Sequence, residues 1–229
     1  MPSNPVPPKP IPLHAFVLLF VIAGATDALI YRHSHQLLAV YMTGNSSHVG
    51  QALALQEWSA TLPLLGVIAT FFGATTLAAW IGNRAGRPNP AWRATVVLVM
   101  TALLVGIALS IIDAEGYSLA AITWIAAGMG TLNQVSAKES GVTFLTGALV
   151  KTGRALAAGE WIACLDGLMR WVALVSGAAI ATLLDERYSN QSLLFVIAAL
   201  LLGAFLTGWN ALAHQREASR ASPSGGAPE

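Results

Sequence analysis

The chain has 229 residues, of which 55% are apolar and only 10% charged, with a formal net charge of +1; mean hydropathy is +0.62. A soluble domain carries roughly 25% charged residues, so the composition excludes a soluble globular protein and points to an integral membrane protein. The one cysteine, Cys164, excludes an intrachain disulfide and a thiolate metal site.

A spanning helix needs about 20 mostly apolar residues. Residues 1–11 are rich in proline and lack the basic start and small-residue cleavage site of a signal peptide, so they read as a disordered segment. Spans are expected over Pro12–Tyr31, Leu62–Ile81, Trp92–Ile112, a shorter Leu119–Val135, Asp166–Leu184 and Ser192–Ala211. The Ser/Gly/Pro/Ala-rich residues 215–229 read as a disordered tail. Two membrane repeats follow, residues 12–112 and 119–211.

Between the spans lie two polar, glycine-broken segments of the same form. Val40-Tyr41-Met42-Thr43-Gly44-Asn45 leads into Gly50 and Ala52-Leu53-Ala54; Thr143-Phe144-Leu145-Thr146-Gly147-Ala148 leads into Gly153 and Ala155-Leu156-Ala157. Lys and Arg favour the cytoplasmic side of a membrane. If both segments enter and leave on one side and the N-terminus is cytoplasmic, ten of the twelve Lys and Arg residues lie inside, and only Arg32 and Arg187 outside. If both segments span, that bias largely disappears. The expected fold is therefore an all-α membrane protein: six transmembrane helices plus two re-entrant half-helix segments, arranged as two inverted repeats. Discontinuous helices in inverted repeats recur in transporters.

Ala23-Gly24-Ala25-Thr26-Asp27-Ala28, followed by Met42-Thr43-Gly44-Asn45 and Gly50, resembles the first half of the YoaK family of bacterial membrane proteins, classed as a domain of unknown function. Gly128-Met129-Gly130-Thr131-Leu132-Asn133, followed by Leu145-Thr146-Gly147 and Gly153, resembles its second half, and the likeness covers about residues 13 to 211. It implies a six-helix bacterial inner-membrane protein and brings no substrate or activity.

Irregular backbone survives inside a bilayer only when it is buried in protein or lines water. Thr43 or Asn45 is expected to cap the exposed amides of a helix over Asn45–Gln56, with Gly44 easing the backbone angle. Thr146 and Gly147 repeat this before a helix over Gly147–Gly159. Two helix starts facing one region favour an anion or carboxylate there; the competing reading is that these small residues only pack helices. Asp27 lies within a span, where a carboxylate costs roughly 2.5–3.5 kcal/mol; it is expected to be protonated, bind a cation, cap the first segment or pair with Arg32. His48 shares a helix face with Asn45 and either lines a path or packs. Asn133 is expected to be the counterpart of Asp27 and to bond the second segment. Lys151 and Arg154 share a face and read either as an anion vestibule or as headgroup contacts. Asp166 and Arg170 are spaced as an i,i+4 pair, and Trp80, Trp92 and Trp209 as an aromatic belt.

No nucleotide-binding fingerprint or metal-spaced cluster occurs in the sequence, so no enzyme, no cofactor, no metal and no nucleic-acid partner are expected. The expected partners are the lipid bilayer, a small polar or anionic solute and a second copy in a homodimer. The function read from the residues is a small secondary transporter or channel of the bacterial inner membrane, with both termini cytoplasmic; the alternative is a non-transporting scaffold or partner subunit.

Overall fold

The computed structural model describes residues 13–34, 38–87, 89–112, 116–137, 141 and 144–221. The expectation for residues 1–11 lies outside them, as does the acidic stretch 113–115. The regular elements are all helices: α1 (Leu13–His33), α2 (Met42–Ala54), α3 (Trp58–Ala85), α4 (Pro90–Ser110), α5 (Leu119–Leu132), α6 (Leu145–Ala157), α7 (Trp161–Tyr188) and α8 (Leu193–Ala221), with one 3-10 turn at Ser189–Ser192 before α8. Four of them, α3, α4, α7 and α8, are long and apolar enough to cross a membrane. That is the signature of an integral membrane protein. α8 runs on through Gln215–Ala221, where the sequence suggests a disordered tail, because Gln, Arg, Glu and Ala all have good helix propensity.

Three elements of the second half start at one constant offset from their counterparts, Met42 and Leu145, Trp58 and Trp161, Pro90 and Leu193, and α5 starts three residues beyond that offset from α1, Leu119 against Leu13. The repeat reaches down to dihedral angles. α2 ends at Leu55 (φ −90°, ψ 0°) and α6 at Ala158 (φ −84°, ψ −3°). The next residue turns left-handed in both, Gln56 at φ 58° and Gly159 at φ 74°. The Glu57 amide then donates to the Ala52 carbonyl at 2.8 Å and the Glu160 amide to Ala155 at 2.9 Å. This is a Schellman helix end used twice, and it folds α2 onto α3 and α6 onto α7 as hairpins.

α1 packs on α7, and α3 packs on α5, so each repeat holds the other. Where α1 and α7 cross, Cβ atoms added at Gly24 and Gly177 would run into the backbone carbonyls of Leu174 and Val21. At the α3–α5 crossing a Cβ on Gly130 would meet the Thr75 hydroxyl at 2.9 Å, and that hydroxyl donates to the Gly130 carbonyl at 3.0 Å. Small residues are what let backbones approach this closely.

Polar contacts tie the helix ends together. Arg93, buried at the start of α4, donates to the Gln134 carbonyl (2.8 Å), to Gln134 Oε1 (3.2 Å) and to Asn83, so it joins the ends of α3 and α5. Arg32 and His33, at the end of α1, both reach Asp185 at the end of α7. α4 and α8 run antiparallel, with the Thr95 and Thr207 hydroxyls 3.0 Å apart and Gly203 against Leu98.

Candidate functional site

The first segment is built around Asn45. α2 begins at Met42, and no side chain caps it. Asn45 lies inside the helix, 0% exposed, and turns its amide back on the incoming chain: Nδ2 donates to the Leu38 carbonyl at 2.6 Å, and Oδ1 accepts from the Leu38 amide at 3.2 Å. The expected caps are thus displaced. Thr43 is exposed in the first turn, its carbonyl accepting from the Ser47 hydroxyl. Gly44 makes room, since a Cβ there would lie 2.8 Å from Leu38 Cδ1. His48 is partly exposed one turn further on.

Asp27 faces this segment from α1. It accepts from the Val40 amide. Its Oδ1 is fully buried and has no hydrogen-bond partner among the described residues. Arg32 does not pair with it but binds Asp185 and Glu186 instead, because five residues of helix carry it toward the end of α7.

The second segment repeats the backbone with other side chains. The offset from α1 to α5 (Leu13 to Leu119, Gly24 to Gly130) sets Asn133 against Asp27, and the offset of the other helices sets Ala148 against Asn45. Asn133 closes the end of α5, Nδ2 donating to the Met129 carbonyl at 3.1 Å. Its Oδ1 lies against Gly141, where an added Cβ would be 2.9 Å away. Thr146 is exposed; Gly147 accommodates the Phe144 ring, which folds back over the start of α6 and would collide with a Cβ.

A cleft of about 500 Å³ runs between α6 and α7, bounded at one end by Phe20 of α1 and by Gly141, Phe144 and Gly147. The structure therefore brings Gly147 and the Gly141 loop to one cleft, and Asp27, Gly44 and Asn45 to the other segment. Phe20 borders the cleft and Asp27 faces the first segment, both from α1, where they are seven residues, or roughly 10 Å of helix, apart.

A family model described as "Protein of unknown function (DUF1275)" matches residues 15–207. The chain belongs to this family. No curated protein and no solved structure matches it. The DUF1275 match takes in both repeats, both short helices and Asp27.

One polar assembly in the DUF1275 region is not evident from the sequence. Asp185 is 3% exposed at its side chain and takes Arg32 Nε at 3.0 Å, His33 Nε2 at 2.9 Å and the Ser192 hydroxyl at 3.0 Å. His33 stacks on Tyr117, centroids 4.7 Å apart. Burial, and after it the charge of Asp185, push the Tyr117 phenol well above its ordinary range. In the sequence Asp185 directly follows the expected span Asp166–Leu184 and opens a charged run with Glu186 and Arg187. The expected Asp166–Arg170 pair forms at 2.9 Å. Trp80 and Trp209 are exposed, and Arg84 stacks 3.5 Å over the Trp80 ring.

Proposed function

We propose that this DUF1275 protein is a small secondary transporter or channel of the bacterial inner membrane that moves a small polar or anionic solute past α2 and α6. It has six spans and two half-helices in inverted repeats, works without cofactor or catalysis, and assembles as a homodimer in the bilayer. The contacts at the helix ends support this topology. α1 and α7 end together at Asp185, where α8 begins; α3 and α5 end together at Arg93, where α4 begins. Because α4 and α8 run antiparallel, these two ends are opposite. α2 then joins two helix ends on one face, and α6 joins two on the other. Each enters and returns, and α1 and α5 cross in opposite senses.

The observation that carries the transport reading is the buried Oδ1 of Asp27 without a partner at the start of α2. A span that only packed would have no use for so costly a group; a carboxyl that exchanges a proton or meets a passing solute needs an open valence. The packing alternative has its own support in Asn45, whose amide is fully occupied by Leu38.

The test is cysteine accessibility on a Cys164→Ala background, with Thr43→Cys and Thr146→Cys probed by a membrane-impermeant thiol reagent from each side. Labelling of Thr43→Cys only from the periplasm and of Thr146→Cys only from the cytoplasm is expected. Silence at both, with cysteine controls at Glu57 and Asn89 reactive, would leave the packing alternative standing.

A further inference from the structure

The cleft between α6 and α7 has a polarity that varies with depth. α6 runs toward the turn at Ala158–Glu160, and α7 runs away from it. At 1.5 Å per residue, Arg154 lies roughly 6 Å from the turn, Lys151 roughly 10 Å and Arg170 roughly 15 Å. Three cations thus line one groove at successive depths. Two carboxylates share it. Asp166 is neutralised by Arg170, whose Nε and Nη2 both contact Oδ2 at 2.9 Å. Glu160 sits at the turn. Lys151 and Arg154 have no ion-pair partner among the described residues, and beyond Glu160 they leave the groove cationic.

The walls are firm. Thr152 and Gly167 hold α6 and α7 so close that a Cβ on Gly167 would collide with the Thr152 side chain. The rest of the lining is largely apolar, with Phe20 and Phe144 at the inner end. A volume of about 500 Å³ exceeds what a bare inorganic anion fills and falls within the range of small-molecule sites, about 300–1,000 Å³. Two cations on one helical face, three residues apart, suit the oxygens of a phosphate group. The apolar walls suit the organic part that phosphate is attached to.

We propose that this groove binds an organic phosphate: an anionic head between Lys151 and Arg154, with its carbon body against Phe20 and Phe144. The same chemistry is available from a soluble phosphate ester or from an anionic lipid headgroup. The inference rests on α6 being a half-helix that opens to one membrane face, and not on transport.

The experiment uses the full chain in neutral detergent and in phosphatidylcholine nanodiscs, and follows thermal unfolding, since a ligand that binds the folded state raises the midpoint. Glycerol 3-phosphate is titrated in one arm and phosphatidylglycerol in the other. The wild type is compared with Lys151→Gln/Arg154→Gln, and with Arg84→Gln/Arg87→Gln as an equal loss of charge elsewhere. A saturable rise in one arm, with affinity at least tenfold weaker in the Lys151/Arg154 variant and unchanged in the Arg84/Arg87 variant, supports the site and identifies the source. No rise in either arm, or an equal rise in both variants, overturns it. Should the Lys151/Arg154 variant misfold, Ala148→Trp, which fills the groove without removing charge, is expected to abolish the same rise; an undiminished rise there also overturns the site. Phosphate binding in protein whose Thr43→Cys and Thr146→Cys forms stay unlabelled would keep this site and remove the transport reading.

Discussion

Substituting Gly24 or Gly177 by Ala is expected to part α1 from α7. A Cβ on Gly24 would stand 2.8 Å from the Leu174 carbonyl carbon, and one on Gly177 would stand 2.7 Å from the Val21 Cα. Carbon atoms pack best at about 3.5–4.0 Å, so each methyl demands a separation of roughly 1 Å. The obstacle is backbone in both cases, and no rotamer change relieves it. Overpacking of this kind costs roughly 1–3 kcal/mol. For a chain of this size that corresponds to about 2–4 °C per kcal/mol, measured as the unfolding midpoint of detergent-solubilised protein. The two clashes oppose the same approach of the same helices. One displacement relieves both, so the double variant should lose clearly less than the sum of the singles. Gly73→Ala and Gly106→Ala, which meet nothing within 4 Å, serve as controls and should gain up to about 1 kcal/mol from helix propensity. If Gly24→Ala and Gly177→Ala behave like these controls, or if their effects simply add, the close-crossing argument fails.

Gln56→Gly should stabilise by up to about 1 kcal/mol and Gly159→Ala should destabilise by a similar amount, since both positions are left-handed helix ends and only one carries the residue suited to it; midpoints moving the opposite way would contradict the repeated turn. Asn45→Asp should cost more than Asn45→Ala, because it sets an acceptor against the Leu38 carbonyl as well as losing the donor; the loss is roughly 1–3 kcal/mol, and the order of the two variants in thermal unfolding is the check. Asp185→Asn should cost less than the roughly 3–5 kcal/mol of a fully buried broken pair, because the Arg32 side chain is 38% exposed and can reach water. A double-mutant cycle with Arg32→Ala that returns no coupling would remove Arg32 from the assembly.

The repeat was legible because its signal is local. Thr43-Gly44 and Thr146-Gly147 carry it, and the sequence repeats further than that motif: Glu57-Trp58 and Glu160-Trp161 fall at the same offset and open α3 and α7. What the motif does was less legible. Thr and Gly at a helix start suggest capping, yet here the glycines clear space for Leu38 and Phe144, which only the folded loop reveals. The helix crossings are non-local in the same way. Gly24 and Ala28, and Ala173, Gly177 and Ala181, recur every four residues, but nothing in either stripe says which helix it meets. Arg93 reads as one more cytoplasmic cation; its burial follows from Asn83 and Gln134, on two other helices.

The two halves keep one backbone and divide the charge between them. Where the first half has Asp27 and Asn45, the second has Asn133 and Ala148; where the second has Lys151 and Arg154, the first has His48 and Gln51. If the segments were packing devices alone, there would be little reason for ionisable groups to sort by sign while the turns at Gln56 and Gly159 stay superposable in their angles. On the proposed transport reading, the buried carboxyl of Asp27 and the cationic groove would give a solute two unlike environments. Removing Asp27 should then act on passage, and removing Lys151 with Arg154 on capture. That separation of effects is what the transport reading predicts; equal effects of the two removals would favour the packing alternative.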